Sequence, residues 1–287
     1  MAAGLRPVPP EHVSAVIKLS SPATREFWEI PILYEDEHLL ALNKPACILA
    51  SPDRSELEQP NLVQLLHSGI EQAKPWAKER GLVYLMNAHR LDFETSGVLL
   101  LGKNKPAFAA VANLLGAGRV RRKYIALVRG VPAQDRFEIE AKLSPHPVRP
   151  GIMRVDAKQG KQSHTICDVL ERFSGHALLK CEALTDRPGQ IRLHLRHAAL
   201  TIVGDRLYGG RPLLLSQMKR DYRLKPDQTE RPLIDSAALH AEEFSFPHPM
   251  TNAPLVITAP WPKDLRVAVK YLQRYGRTGR AGQWADE

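Results

Sequence analysis

His89-Arg90-Leu91-Asp92-Phe93-Glu94-Thr95-Ser96-Gly97 runs directly into Val98-Leu99-Leu100-Leu101. The first stretch gathers an acid, a base, hydroxyls and a glycine; the second is short and wholly apolar. That junction predicts a polar loop entering a buried strand. Loops held by a rigid element are where catalytic groups are often placed. An aspartate beside an arginine is favoured in its charged form, available as nucleophile or base. A capped turn, with Asp92 and Thr95 satisfying backbone groups, accounts for the same residues equally well.

Working outward, Ile32-Leu33-Tyr34 and His38 to Asn43 read as two strands joined by the turn Glu35-Asp36-Glu37, with Lys44-Pro45 ending the second. Residues 52 to 60 read as a polar loop and Asn61 to Gln72 as a helix. On the other side, Pro106 to Leu115 reads as a helix stopped by Gly116-Ala117-Gly118. Tyr124–Val128, Thr165–Leu170 and Ala177–Ala183 read as strands, and Gln190 to Ala199 as a helix. A glycine-rich loop covers 203–210, and a polar, basic insertion runs from about Ser216 to Arg231. A strand pair from His240 to Thr258 and a helix from Trp261-Pro262 to about Tyr275 close the chain. Strands and helices mix without regular alternation, which predicts an α+β fold. The division expected is an irregular leader over 1–25, one catalytic domain over 26–275 and a loose tail over 276–287.

The chain has 287 residues, enough to bury a core without cross-links. No apolar run approaches the ~20 residues that span a bilayer, and the proline-bearing start is not a secretory signal. Cys47, Cys167 and Cys181 fit no metal pattern and read as reduced, mostly buried thiols of a cytoplasmic protein. Net charge is +9, from 40 Lys and Arg against 31 Asp and Glu, which suits an anionic partner such as nucleic acid. The cations cluster: Arg119, Arg121, Arg122 and Lys123; then Arg187, Arg192 and Arg196 with His194 and His197; then Lys219, Arg220, Arg223 and Lys225.

Two further constellations are candidates. Gln190-Ile191-Arg192 opens a helix after Arg187, where an arginine can hold a carboxylate or phosphate. By pattern alone, a solvated helix face fits it better. Arg121-Arg122-Lys123-Tyr124 places an aromatic behind charges, an arrangement that can stack a base while the cations hold the backbone. By pattern alone, an ordinary strand start beside surface charges fits that stretch better. His194 and His197 lack the further ligands of a zinc site, and no nucleotide-binding loop is present, so neither metal nor nucleotide cofactor is expected.

With these residues in view, the chain resembles the RluA-type pseudouridine synthases. Their signature is His-Arg-Leu-Asp, two variable positions, then Thr-Ser-Gly, matched at every fixed position by 89–97. Leu33-Tyr34-Glu35-Asp36 and Asn43-Lys44-Pro45-Ala46 resemble the opening motif, and Lys123 to Val128 the tyrosine motif. Gln190 to His194 and Val203 to Gly209 resemble the third, and Leu239-His240 with Ser245 to Pro249 the closing one. The resemblance implies that Asp92 attacks the target nucleoside and that Tyr124 stacks on the flipped uracil. It implies that Arg192 pairs with the aspartate, that Arg90 enters the RNA where the base has left, and that Ile191 and Leu193 line an apolar pocket. His89, Leu91, Thr95, Ser96, Gln190 and Lys123 complete the implied substrate contacts.

The pattern is departed from at Thr185-Asp186-Arg187-Pro188-Gly189-Gln190, where the family reads Thr-Gly-Arg-Thr-His-Gln. Arg122 stands where lysine is favoured, and Cys47 where glycine is common. The fold implied is the pseudouridine synthase fold, a mixed, largely antiparallel sheet with surrounding helices and a central basic cleft. The activity implied is isomerisation of uridine in ribosomal or transfer RNA by a monomer, with no cofactor. RNA selection is expected to rest on the catalytic domain, since about 30 residues precede the first motif. Replacing Arg192 with alanine is expected to damage catalysis more than folding. The rival readings are an RNA-binding protein without activity and a hydrolase pairing Asp92 with a histidine; a product assay separates them.

Overall fold

The computed structural model describes residues 16–52, 59–219, 221–224 and 228–276. In chain order the elements are β1 (Val16–Ser21), β2 (Glu26–Glu35), β3 (Leu39–Lys44), α1 (Leu62–Glu71), α2 (Pro75–Glu79), β4 (Met86–Asn87), β5 (Ser96–Gly102) and α3 (Lys105–Gly116). They continue with β6 (Arg121–Arg129), β7 (Arg136–Pro145), β8 (Met153–Val155), β9 (Lys161–Phe173), β10 (His176–Ala183), α4 (Gln190–His197) and β11 (Thr201–Ile202). The last are β12 (Leu239–Pro247), β13 (Pro254–Thr258) and α5 (Lys263–Tyr275). The chain divides into two compact units, where the sequence reading has one domain over 26–275.

The first unit takes the chain up to Phe93, Gly97–Arg121 and Glu243–Ala259. Its ladders β1–β2, β2–β3, β3–β5, β4–β5 and β12–β13 are all antiparallel. β5 is buried along its whole length, as its apolar run requires. Ile17, Leu19 and Ile30 join Leu40, Leu42, Leu62, Leu66, Leu99 and Leu101 in one core. The side chain of Asn61 caps α1 by accepting from the Gln64 amide at 3.0 Å. Gly69 lets Trp76 lie against that helix, since a Cβ there would sit 2.2 Å from the indole.

Here the expected leader is corrected. Residues 16–21 are a strand with Ile17 and Leu19 inward and Val16 and Lys18 outward. The run is short and sits beside a proline-rich start, so composition hid a period of two that burial makes decisive. Residues 1–15 of that leader, and 277–287 of the expected tail, lie outside the described residues.

The second unit takes Glu94–Ser96, Arg122–Glu242 and the chain from Pro260. β6, β10, β9, β7 and β8 pair antiparallel in that order, and β11 pairs antiparallel with β6. α4 and α5 supply Ile191, Leu195, Leu265, Ala268 and Leu272 to a core with Ile125, Leu127, Phe173 and Leu179. Cys167 and Cys181 face each other across β9 and β10, fully buried, with sulfurs 3.5 Å apart. β7 was not anticipated from the sequence, although Phe137, Ile139, Ala141 and Leu143 alternate there with Glu138, Glu140 and Lys142. The α+β expectation, with a largely antiparallel sheet, is borne out: within the units the strand ladders of the described residues are antiparallel.

Candidate active site

The 89–97 loop is fastened on both sides of Asp92. Ahead of it, the imidazole Nε2 of His89 accepts from the Leu100 amide at 3.0 Å, and its ring lies 4.6 Å from that of Phe244. Asn87 donates to the His89 carbonyl at 2.8 Å, and Leu91 is buried. Behind it, the Phe93 carbonyl accepts from Lys44 Nζ at 3.2 Å and from the Cys47 amide at 2.9 Å. Asp92 is partly exposed between these anchors, and Arg90 is exposed.

Lys44, quoted in the sequence only as part of a motif, is a fully buried charged side chain, at 0% exposure. Its ammonium also donates to the carbonyls of Ile48 at 2.8 Å and Pro45 at 2.9 Å. Burial pushes its pKa down to about 7, with the negative charge of Asp92 pulling the other way. Cys47, where glycine is common, has φ 61, the left-handed conformation that glycine adopts without strain.

The loop then passes into the second unit at Glu94–Ser96. Thr95 is buried with no hydrogen-bond partner for its hydroxyl among the described residues. Ser96 Oγ lies 2.8 Å from His240 Nδ1. Glu94 accepts from Arg192 Nη2 at 3.1 Å. Arg192 is 5% exposed and also donates Nε and Nη2 to the two oxygens of Asp205, at 2.7 and 2.6 Å. The solvated helix face is thereby excluded for Arg192; Arg196, four residues on, does face solvent. A bidentate carboxylate fixes the guanidinium plane, and the Tyr208 ring lies 4.9 Å from its carbon.

Tyr124 is partly exposed in β6, opposite Cys181 of β10, with Lys123 opposite Glu182. Gln190 turns inward instead: its amide donates to the His164 carbonyl and Thr165 Oγ1, both at 3.0 Å, and accepts from Thr185 Oγ1 at 2.8 Å. Ile191 is part of the core of this unit, and Leu193 packs with Ala141, Leu143 and Tyr208. The departures from the family pattern cohere locally. Asp186 pairs with the nearly buried Arg122 at 2.8 Å. Gly189 sits at φ 60, with the Tyr208 hydroxyl 2.9 Å from where a Cβ would be. His194 is fully buried against Ser163 Oγ at 2.8 Å, and burial pushes its pKa down to about 4. Among the described residues, Glu138, Glu140 and His164 are the group able to meet on one ion; they lie exposed or partly exposed on β7 and β9, and His164 already faces Glu138 at 2.8 Å.

A sequence profile of the RNA pseudouridylate synthase family matches residues 38–197, a span that holds the loop, β6 and α4. The chain belongs to that family. As an RNA pseudouridine synthase it is an isomerase that converts uridine in RNA to pseudouridine. It is 34% identical to the ribosomal large subunit pseudouridine synthase D of Xylella fastidiosa, over 82% of this chain and 67% of that protein. It is 32% identical to the ribosomal large subunit pseudouridine synthase C of Escherichia coli, over 84% and 70%. The fold is shared with human RNA Pseudouridylate Synthase Domain Containing 4, at a TM-score of 0.62 and 20% identity, covering 84% of this chain and 92% of that one. The residues that the synthase's own sequence did not single out are Lys44, Glu94 and Asp205. All three stood inside quoted stretches, Glu94 at a variable position of the 89–97 signature, but nothing in a motif says which side chains are buried and charged.

Proposed function

We propose that this synthase modifies large-subunit ribosomal RNA, with Asp92 as the attacking carboxylate and Tyr124 as the platform for the flipped uracil. The reaction breaks the bond from C1′ of the ribose to N1 of uracil and makes one from C1′ to C5. The C5 proton is lost and N1 gains one, so the change is redox-neutral and calls for no electron carrier. The reacting atoms are inaccessible in a stacked helix, and the target nucleotide leaves it. Tyr124 then replaces part of the lost stacking, worth about 1–3 kcal/mol per base. Arg90 occupies the space left in the RNA, and Arg192 holds the charge of the aspartate.

The observation that carries this reading is the fastening of the loop around Asp92. His89 on one side and Phe93 on the other are tied to β5 and to the turn after β3, while the carboxylate between them is partly exposed. A nucleophile placed this way pays little reorganisation on meeting its substrate. The ribosomal substrate rests on the names of the relatives. The experiment is pseudouridine mapping of total RNA from cells lacking the gene and from cells complemented with wild type or Asp92→Asn. A large-subunit site that returns only with wild type supports the assignment. Full activity of purified Asp92→Asn overturns the role of Asp92; a site lost from transfer RNA instead overturns the substrate.

A further inference from the structure

At the far end of β6 from the basic cluster lies a cavity of about 460 Å³ lined by Arg129, Gly130, Gly175, Ala199, Thr201, Gly209 and Arg211. Its size falls within the roughly 300–1,000 Å³ of ligand clefts. All of its walls belong to the second unit. Topology brings them together: Arg129 closes β6, Thr201 of β11 is its partner on one side, and His176 of β10, next to Gly175, is its partner on the other. Four wall residues have positive φ (Gly130, Gly175, Ala199 and Gly209), so the chain turns tightly at these points.

Part of the charge of this unit is neutralised within it. Arg122, Arg136, Arg154, Arg172 and Arg192 each meet an aspartate. Among the described residues Arg129 and Arg211, like other exposed arginines of this unit, have no carboxylate partner; these two line the same cavity. Two like charges sharing a recess repel, and a single anion between them relieves both. Thr201, whose side chain carries a hydroxyl donor, lines the same cavity.

We propose that this cavity is a phosphate-binding subsite for the substrate RNA, separate from the catalytic loop. This rests on the RNA-modifying reading above. Along β6, Arg129 stands about 17 Å from Tyr124 at ~3.4 Å per residue. A phosphate held there belongs to a nucleotide several steps from the target or to the opposite strand of its stem. The subsite therefore reports on RNA structure around the modified base, and phosphate contacts of this kind set register rather than read sequence.

The test is the salt dependence of binding to large-subunit ribosomal RNA transcribed in vitro. Each neutralised phosphate contributes roughly 0.7–0.9 to the slope of log affinity against log salt. Arg129→Gln with Arg211→Gln is expected to flatten the slope by about one such unit and weaken binding about tenfold at low salt. Arg129→Lys with Arg211→Lys keeps the charge and is expected to restore most of the slope. Unchanged slope and affinity in the glutamine double variant overturn the proposal. So does competition by polyglutamate that the variant loses while its RNA slope stays intact, which would make this a protein-binding site. Should the double variant melt early, Arg211→Gln alone, on an exposed loop, carries the same reading. Binding is measured without turnover, so an RNA that stays unmodified removes the enzymatic assignment and leaves this result standing.

Discussion

Lys44 Nζ lies 3.2 Å from the carbonyl oxygen of Phe93, the residue that follows Asp92. One buried ammonium thus ties the end of β3 to the loop that carries the proposed nucleophile. Its two other carbonyl acceptors, at Ile48 and Pro45, complete its donor capacity.

Lys44 therefore leaves a signature in stability against pH. Its folded pKa is lowered to about 7 from an ordinary 10.5. Between those values the unfolded chain holds a proton that the folded chain has released, so stability rises with pH over that window and is lost as pH falls towards 7. Tyr34, whose phenol burial and Asp36 push upward, reverses the trend above its ordinary value near 10. Urea titrations from pH 7 to 10 are expected to show the rise in wild type and its absence in Lys44→Met. An identical rise in both would assign it to another group.

His194 acts on the acid side. Burial, then the charges of His197 and His164, lower its pKa from 6.5 to about 4. Below pH 6.5 the unfolded chain takes up a proton that the folded chain refuses, so stability falls between pH 6.5 and about 4. His194→Gln is expected to flatten this decline in thermal melts. A decline of the same steepness would show that other groups carry it.

Arg192→Ala is expected to lower stability as well as activity. Asp205 is 1% exposed and would lose both of its bonds to the guanidinium. Breaking one partner of a buried pair costs about 3–5 kcal/mol. This sets a substantial folding loss beside the expectation that catalysis would suffer more than folding. Chemical denaturation alongside the isomerisation assay separates the two losses, and a melt matching wild type would restore the earlier view.

Cys47→Gly is expected to stabilise the protein by about 1 kcal/mol. A side chain in the left-handed region costs about 1–2 kcal/mol, and glycine relieves it at some expense in unfolded-state entropy. Conversely, Gly189→Ala should cost about 2 kcal/mol, since its φ is 60 and its new Cβ would meet a Tyr208 hydroxyl already accepting from the Met153 amide. Denaturation midpoints check both signs.

The sequence by itself determined the family, the loop at 89–97 and most of the elements that hold it. Those signals are local: a motif in fixed order, an unbroken apolar run in β5, helical spacing in α1 and α4, and glycine or proline at element ends. It passed over β1 and β7, although Ile17 and Leu19 in the one and Phe137, Ile139, Ala141 and Leu143 in the other recur at a period of two. Tertiary structure decided the rest, because burial and charge pairing depend on residues far apart in the chain. Only the fold shows that Arg192 is buried against Asp205 and Glu94, that Gln190 spends its amide inward, and that Lys44 is enclosed beside Asp92. A lysine or arginine reads the same in a motif whether water or a carboxylate surrounds it; the energy of the charge is set by what the folded chain puts around it.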